Sequence, residues 1–212
     1  GALKPRLPAG TDVIIFPAVL GLQRHERIAE TAEALLGAPC LEVPTLPPSV
    51  PGLRLHGALE DRLSQGNVMF HKGVRVVGGR RSGRRCEAVI DDMGRAFEAS
   101  VLVVATGGVL MGGLEVDSRG QIRETIFDLE VFQTEPLVAE TVDRSLDALH
   151  QTGVETDQDL RPRVNGSQQY ENLFVTGRTL AHWNPASEAS SEGVSIVTGW
   201  LAAEAAHAYL GG

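Results

Sequence analysis

The closing stretch of the sequence, Glu171 to Trp200, constrains the fold more than any other part of the chain. It reads ENLFVTGRTLAHWNPASEASSEGVSIVTGW, in which an apolar run stops at Thr176-Gly177 and a polar loop follows. A Ser/Glu/Gly cluster then opens an apolar, alanine-rich segment that predicts a helix from about Glu192 to Leu210. Because apolar side chains occur on more than one side of this helix, we expect it to be buried nearly all round. The pattern therefore predicts a strand and a closing helix in the core of an α/β fold.

The chain before this stretch falls into a part with alternating strands and helices and a part with short β-rich runs. The first part predicts a strand at 13–16, a helix at 24–36, a short strand CLEV and, after a proline-rich loop, a helix at 53–63. From Asn67 onward, short β-rich runs predict a meander, in which VLVVATGG is expected to be buried on both faces. Further elements are predicted as strands at 114–116 and 122–127 and a helical turn at 143–149. The fold class that we predict is mixed α/β (α+β), with two interleaved lobes.

The charge and composition exclude some classes of partner. The 212 residues are 42% hydrophobic and carry a net charge of −8, which argues against a general nucleic-acid or anionic-membrane binder. No segment approaches the ~20 consecutive apolar residues of a membrane span. Four arginines crowd one glycine-containing turn and predict a solvated hairpin tip: Arg80, Arg81, Arg84 and Arg85.

The residue types that bind metals show no metal-binding pattern. Cys40 and Cys86 have no CxxC spacing, and the sequence leaves reduced thiols and a disulfide both open. The histidines do not pair at ligand intervals, so we predict no metal site. The run GGVLMGG at 107–113 lacks the GxGxxG spacing and no helical pattern follows it, which excludes it as a nucleotide fingerprint.

The two glycines of the closing stretch allow two interpretations. A glycine directly after a strand, Gly177, lets the backbone approach a ligand that a Cβ would exclude. A helix N-terminus near Gly193 offers unpaired N–H groups and a partial positive charge. Together they fit a pyrophosphate or the negative edge of a reduced flavin, whereas a packing corner needs no ligand.

Several motifs together carry a resemblance to a known family. They are VPTLPPSVPGLRL, VLVVATGGVLMGGLEV with GQIRETI, ENLFVTGRTL, and EGVSIVTGWLAAEAA, and they occur in order along nearly the whole chain. The sequence thereby resembles a family of flavoprotein subunits of anaerobic glycerol-3-phosphate dehydrogenase, within the two-domain flavoprotein class that includes fumarate reductase. The resemblance implies a substrate-side lobe with a β meander, joined to the C-terminal strand and helix of a Rossmann-like flavin domain.

The resemblance also implies which residues lie near a flavin, either FAD or FMN. In this family the segment like VLVVATGG abuts the flavin domain, the segment like LFVTGRTL passes the pyrophosphate, and the helix like EGVSIVTG points at the isoalloxazine ring. The implied flavin neighbours are Thr106, Gly107, Gly177, Arg178, Asn184, Pro185, Gly193, Val194 and Ser195.

The activity that the resemblance implies is the oxidation of sn-glycerol 3-phosphate to dihydroxyacetone phosphate, by hydride transfer to the flavin. His182 is the candidate base, and Arg54 and Arg123 are candidate ligands of the substrate phosphate. The implied partners are a second flavoprotein subunit and a membrane-associated iron–sulfur subunit, with electrons passing to quinone. The expected location is cytoplasmic and peripheral to the inner membrane through those partners.

The sequence departs from the family pattern in three places. The Gly-rich N-terminal βαβ unit is absent, so the chain is expected to be the C-terminal part of a longer protein, inactive and flavin-free when isolated, and homodimeric. Arg178 stands where relatives carry an acidic residue for the ribityl hydroxyls, and it cannot accept a hydrogen bond. Glu188 and Glu192 lie near the proposed anion-friendly helix terminus. The segments that we predict are an α/β part with the meander at 1–105, substrate-side strands with a turn-rich connection at 106–170, and the end of the flavin domain at 171–212.

These departures keep two other functions open. One is a non-catalytic, flavoprotein-like scaffold that docks the catalytic and iron–sulfur partners. The other is a flavin dehydrogenase that acts on a different 2-hydroxy compound, since the candidate substrate residues carry no signature motif.

Overall fold

The computed structural model describes residues 4–44, 47–133 and 142–211. The chain forms two compact units, residues 1–72 and 73–212. This division differs from the segments predicted at 1–105, 106–170 and 171–212. The assignment of those segments to a substrate-side lobe and a flavin domain stays a prediction.

The first unit contains a short 3-10 turn, Lys4–Arg6, and a strand–helix–strand arrangement followed by a helix. Its elements are β1 (Ile14–Pro17), α1 (His25–Leu36), β2 (Cys40–Val43) and α2 (Val50–Gln65). Strands β1 and β2 pair in parallel, with Ile14 opposite Cys40, so α1 is the crossover of a βαβ unit. The turn before α1 carries no Gly-rich fingerprint. Helix α2 begins earlier than predicted, because the Ser49 side chain caps it by accepting a hydrogen bond from the Gly52 amide at 3.2 Å.

The second unit begins with the predicted meander. Its strands are β3 (Val76–Ser82), β4 (Arg85–Asp91) and β5 (Ala96–Glu98), which pair antiparallel in that order. The four arginines lie at the β3–β4 hairpin and are exposed, as predicted, but three of them also contact the rest of the unit. Arg81 donates to the Phe127 carbonyl and the Tyr170 hydroxyl, and Arg85 donates to the Tyr209 hydroxyl, so these side chains tie the hairpin to the rest of the unit.

The centre of the second unit is a parallel pair of strands covered by the closing helix. Strand β6 (Leu102–Val104) pairs with β13 (Leu173–Val175), and α5 (Ser191–Tyr209) packs on them through Val194 and Ala202. The smaller elements are β7 (Leu114–Val116), β8 (Ile122–Glu124), β9 (Val131–Phe132), α3 (Val142–Gln151), β10 (Gly153–Val154), β11 (Arg163–Val164), β12 (Ser167–Gln168) and α4 (Pro185–Glu188), with 3-10 turns at Val109–Met111 and Gly177–Thr179. The mixed α/β fold class is therefore confirmed.

Two burial predictions are wrong. The closing helix α5 is buried on one side only, since Ile196 is 72% and Trp200 is 68% exposed. Strand β6 buries Leu102 and Val104, whereas Val103 between them is 47% exposed. One face of each element packs on the core of the second unit, and the apolar residues of the other face remain accessible.

Both cysteines are free and buried. Burial raises the pKa of the Cys86 thiol to about 12 and also raises that of Cys40. Among the described residues, no group of three or more His, Cys, Asp or Glu side chains is arranged to hold a metal ion.

Candidate functional site

The turn after β13 is fixed by glycine and by a threonine of the closing helix. Gly177 has φ +66°, a left-handed conformation that a side chain disfavours. Its amide donates to the Thr198 hydroxyl of α5 at 3.0 Å, and that hydroxyl also contacts the Thr176 hydroxyl at 2.8 Å. A Cβ on Gly177 would lie 3.7 Å from the Ser195 hydroxyl oxygen. The strand-end turn therefore lies directly against the first two turns of α5.

The loop after β6 lies against the same turn. The Gly107 amide donates to the Thr179 hydroxyl at 3.1 Å, and Thr179 is fully buried. Gly113 allows this loop to fold back on itself, because a Cβ there would lie 2.1 Å from the Gly107 carbonyl oxygen. The ends of two parallel strands thus meet beside the start of α5. In open parallel sheets, the carboxyl ends of the strands are where ligands bind.

The start of α5 is open to solvent. Its N-cap residue, Ser190, makes no side-chain capping bond, and Gly193 in the first turn is exposed. No heavy atom would lie within 4 Å of a Cβ placed on Gly193. Glycine inside a helix costs about 0.5–1 kcal/mol relative to alanine. The packing of this chain therefore gives no reason for glycine at this position, whereas a ligand in van der Waals contact with the backbone would.

The three segments fit a flavin. The Thr106 hydroxyl oxygen is buried and has no hydrogen-bond partner in the described part of the chain, and unpaired buried hydroxyls are costly. It directly precedes Gly107, at the junction of the strand ends. The structure brings Gly107 to the Gly177 turn through Thr179 and brings Ser195 to the same turn. The residues that would hold a flavin are Thr106, Gly107, Gly177, Gly193, Val194 and Ser195, and this role stays a prediction.

Arg178 bridges the strand-end turn and the helix. Its guanidinium donates to the Ser191 hydroxyl at 2.8 Å and lies over the Trp183 ring at 5.5 Å from the centroid. A cavity of about 30 Å³ lies between these side chains and the loop 108–111. Arg178 thus places a positive charge at the start of α5, where it suits a phosphate oxygen and not a ribityl hydroxyl that needs an acceptor.

Asn184 and Pro185 lie in the segment that joins β13 to α5. The Asn184 amide side chain donates to Asp147 of α3 at 2.9 Å, and its backbone amide donates to Glu188 at 2.9 Å. These contacts explain both residues by the folding of the loop, with Pro185 as the first residue of α4. The bond from the Asn184 amide accounts for the carboxylate of Glu188, which therefore needs no role at the N-terminus of α5. Glu192 is exposed in the first turn of that helix.

His182 lies in a separate cavity of about 340 Å³. Its Nε2 is 2.6 Å from a carboxylate oxygen of Glu155, and its ring contacts Phe132 with centroids 4.0 Å apart. The backbone of His182 has φ +65°, which is uncommon outside glycine.

The two arginines predicted to bind substrate phosphate each pair with a carboxylate. Arg54 belongs to the first unit, where its side chain is 13% exposed and contacts Glu42 at 2.7 Å and the Gly21 carbonyl at 2.8 Å. Arg123 lies on β8 and pairs with Glu115 of β7 at 3.1 Å. The phosphate roles of both residues stay predictions.

Sequence reasoning missed four residues that organise the strand-end turns beside α5 and the cavity of His182. Thr179 and Thr198 join the strand-end turns to each other and to α5, and Glu155 and Arg163 line the cavity of His182. A lone threonine in the apolar segment IVTGW was a signal for Thr198, since an unpaired hydroxyl on a core-facing helix needs a partner. The other three depend on contacts between segments far apart in sequence.

Comparison with known proteins identifies the family of the chain. A family model described as "FAD binding domain" matches residues 3–194. The chain is 36% identical over 204 residues to a Halobacterium salinarum protein named as a probable subunit of anaerobic glycerol-3-phosphate dehydrogenase, covering 93% of this chain and 48% of that protein. It is 35% identical to the subunit of the same name from Pectobacterium carotovorum, covering 93% of this chain and 47% of the relative. For the Vibrio cholerae protein of that name the identity is 31%, and the coverage is 94% and 47%.

The chain spans about half the length of the curated relatives that it matches. No solved structure matches it significantly. None of the helices in the described ranges has the length and apolar character needed to cross a membrane.

Proposed function

The chain belongs to the FAD-binding domain family, and on that premise we propose that it contributes the flavin site of a dehydrogenase that oxidises sn-glycerol 3-phosphate. The product would be dihydroxyacetone phosphate. The resemblance seen in the sequence motifs is confirmed by curated relatives that are named as a subunit of anaerobic glycerol-3-phosphate dehydrogenase. The identity of the flavin, FAD or FMN, and the substrate belong to this proposal.

The observation that carries the proposal is the exposed glycine at the start of α5. Gly193 lies in open space beside the Gly177 turn, and the packing of the chain does not require glycine there. A flavin whose edge approaches the first turn of α5 explains both glycines, because each removes a side chain that would block the contact. The partial positive charge of the helix N-terminus would then stabilise negative charge on a reduced flavin.

The residues of this chain would divide the work as follows. The backbone at Gly177 and Gly193 would hold the cofactor, the Thr106 hydroxyl would hydrogen-bond it, and Arg178 would bind an anionic group. The flavin would supply the acceptor for the hydride that leaves the substrate carbon. His182 is the proposed base for the proton of the substrate hydroxyl.

The partners also belong to the proposal. The relatives are named as one subunit of an enzyme, which supports assembly with other chains. We propose a second flavoprotein subunit and a membrane-associated iron–sulfur subunit as those partners, with electrons passing on to quinone and the assembly lying on the cytoplasmic side of the inner membrane. By this proposal the isolated chain has little activity and holds its flavin weakly.

One observation favours a second function, that of a docking scaffold without chemistry. The outer face of α5 exposes four large apolar side chains, Ile196, Val197, Trp200 and Leu201. Exposed apolar patches commonly mark protein–protein contacts, including the homodimer predicted from the sequence. The scaffold uses this face alone, whereas the enzyme also needs the flavin site.

An anaerobic reduction experiment separates the two functions. The chain, alone and assembled with its partner subunits, would be mixed with FAD or FMN and then with sn-glycerol 3-phosphate, with glycerol as the uncharged control. We expect the flavin absorbance to bleach in the assembly on addition of the phosphate ester only, and part of this bleaching to be lost when Gly193→Phe blocks the flavin site of this chain. Bleaching that is unchanged in Gly193→Phe favours the scaffold, and a flavin that stays oxidised in the complete assembly contradicts the proposed substrate.

A further inference from the structure

The cavity beside His182 is built from two crossing segments of backbone. The two neighbours of Glu155 in the sequence form backbone β-bridges, Val154 with Leu180 and Thr156 with Pro162. The Glu155 carbonyl accepts a hydrogen bond from the Arg163 amide at 2.9 Å. The His182 amide donates to the Gln151 carbonyl at 3.0 Å. The cavity of about 340 Å³ is lined by Val154, Glu155, Thr156, Arg163, Leu180, Ala181 and His182. Its volume falls at the lower end of the range for small-molecule sites, roughly 300–1,000 Å³.

A glycine makes this crossing possible. A Cβ on Gly153 would lie 2.4 Å from the Leu180 carbonyl carbon and 2.6 Å from the Ala181 nitrogen. Only glycine therefore allows β10 to approach the segment that carries His182. The backbone geometry that brings Glu155 to His182 is thus fixed by buried main-chain contacts and does not depend on the exposed side chains themselves.

The pair of side chains sets the tautomer of the imidazole. The Glu155 carboxylate can only accept a hydrogen bond, so His182 Nε2, at 2.6 Å, must carry the hydrogen. In neutral His182 the lone pair is then on Nδ1, which has no hydrogen bond in the described ranges of the chain. The Phe132 ring, at 4.0 Å between centroids, limits the rotation of the imidazole. His182 is thereby oriented with a basic nitrogen available.

Arg163 supplies a positive charge in the same cavity. Its Nε and Nη2 both donate to the Gly166 carbonyl, which holds the guanidinium by one edge. The Nη1 edge makes no hydrogen bond to the residues that the structure describes, and the residue is exposed. A guanidinium with a free edge suits the oxygens of a phosphate group. Within the described part of the chain, no other arginine or lysine lines this cavity.

We propose that this cavity is the substrate site, in which Arg163 binds the phosphate of a polyol phosphate monoester and Glu155 positions His182. The inference rests on the proposed function, and it assigns Glu155 and Arg163, which no sequence motif singled out. The hydroxyl of the substrate gives its proton to Nδ1 of His182. Glu155 acts through His182 and does not touch the substrate. By this proposal Arg163 is a ligand of the phosphate group, a role that the sequence had assigned to Arg54 and Arg123.

The test uses the 212-residue chain and the imidazole resonances of His182, assigned by their loss in His182→Gln. Proton–nitrogen correlation spectra of the imidazoles report the tautomer, and a titration with sn-glycerol 3-phosphate reports binding. Inorganic phosphate and glycerol are the control ligands. We expect the Nε2–H tautomer in the unmodified chain, a mixture of tautomers in Glu155→Gln, and saturable shifts with both phosphate compounds but not with glycerol.

The charge of Arg163 is tested by Arg163→Met, with Arg119→Met as its control on an exposed turn of the same unit. Loss of a charge-assisted contact should weaken phosphate-ester binding by roughly tenfold or more in Arg163→Met, and Arg119→Met should leave it unchanged. An Nδ1–H tautomer, or equal affinities in the two variants, overturns the inference.

A flavin titration of the same samples separates this inference from the proposed function. Binding of the phosphate ester at His182 without any flavin binding, even at the millimolar flavin concentrations that reveal weak binding, supports the site and removes the flavin role. Flavin binding without any response of His182 to the ester overturns the site alone.

Discussion

The substitution Gly153→Ala tests most sharply how the fold positions Glu155 and His182. The added Cβ would lie 2.4 Å from the Leu180 carbonyl carbon, and ordinary contacts begin at 3.4 Å, so the two segments must separate by about 1 Å. The Ala181 amide donates to the Val154 carbonyl at 3.1 Å, and a shift of that size lengthens this bond past the useful range. The atoms in the way are backbone, so no side-chain rotation relieves the clash.

The expected loss of stability follows from these contacts. Overpacking a buried site costs about 1–3 kcal/mol. Weakening the Ala181 and His182 amide bonds adds about 1 kcal/mol each. The sum is about 3 kcal/mol or more, a large part of the ~5–15 kcal/mol that stabilises a typical domain.

Urea denaturation followed by tryptophan fluorescence measures this loss, because Trp183 and Trp200 both belong to the second unit. Gly78→Ala is the matched control, since a Cβ at Gly78 would meet no atom within 4 Å. We expect the control to be neutral or slightly stabilising. If the free energy of unfolding of Gly153→Ala lies within about 1 kcal/mol of the control, the close crossing of β10 and the His182 segment is refuted.

Three further predictions concern the rest of the chain. Asn172→Ala should lower the free energy of unfolding by about 3 kcal/mol in the same urea assay, because the fully buried Asn172 side chain bonds both backbone groups of Cys86 and the Ser100 carbonyl. An effect under about 1 kcal/mol would contradict that bracing role. In the first unit, the hydrogen bond from Arg54 holds the pKa of Glu42 below its ordinary value of 4.5. The contact between the two side chains therefore stabilises the fold at pH values above 4.5, and this stabilisation is lost as the pH falls through the lowered pKa of Glu42. The backbone amides of β2 should therefore be protected against hydrogen exchange by about 3 kcal/mol less in Arg54→Met than in the unmodified chain at neutral pH. This difference should shrink in acid. A difference that grows in acid would reverse the assigned sign. Since burial raises the pKa of Cys86 to about 12, iodoacetamide should label it at pH 8 only after denaturation, and labelling at equal rates in the native chain would contradict the packing of β4.

The sequence predicted those elements whose signals are local. The strand LFV, the turn at Gly177 and the helix after Ser190 follow from apolar periodicity and glycine, and the meander follows from regularly spaced β-rich runs. The flavin cluster was predicted through the resemblance, and the structure places Thr106, Gly107, Gly177 and Gly193 in one region. The flavin role of these residues stays a prediction.

The sequence could not predict contacts between distant segments. The side chain of Arg81 reaches Phe127 and Tyr170, and that of Glu155 reaches His182, through backbone crossings that no local pattern encodes. The exposed face of α5 was mispredicted for a related reason. Apolar periodicity reports which side chains favour burial, but it does not report whether a partner surface is present.

The most direct test of the central claim is a flavin titration observed at the backbone amides of Thr106, Gly177 and Gly193. FAD and FMN would be added separately, up to millimolar concentrations so that weak binding is visible, to the chain and to the variant Gly193→Phe. Ala203→Phe, an exposed position further along α5, is the control. We expect saturable shifts of these three amides in the chain and in the control, and their loss in Gly193→Phe with the fold intact. Shifts that survive in Gly193→Phe, or no shifts with either flavin, would contradict a flavin site at the start of α5.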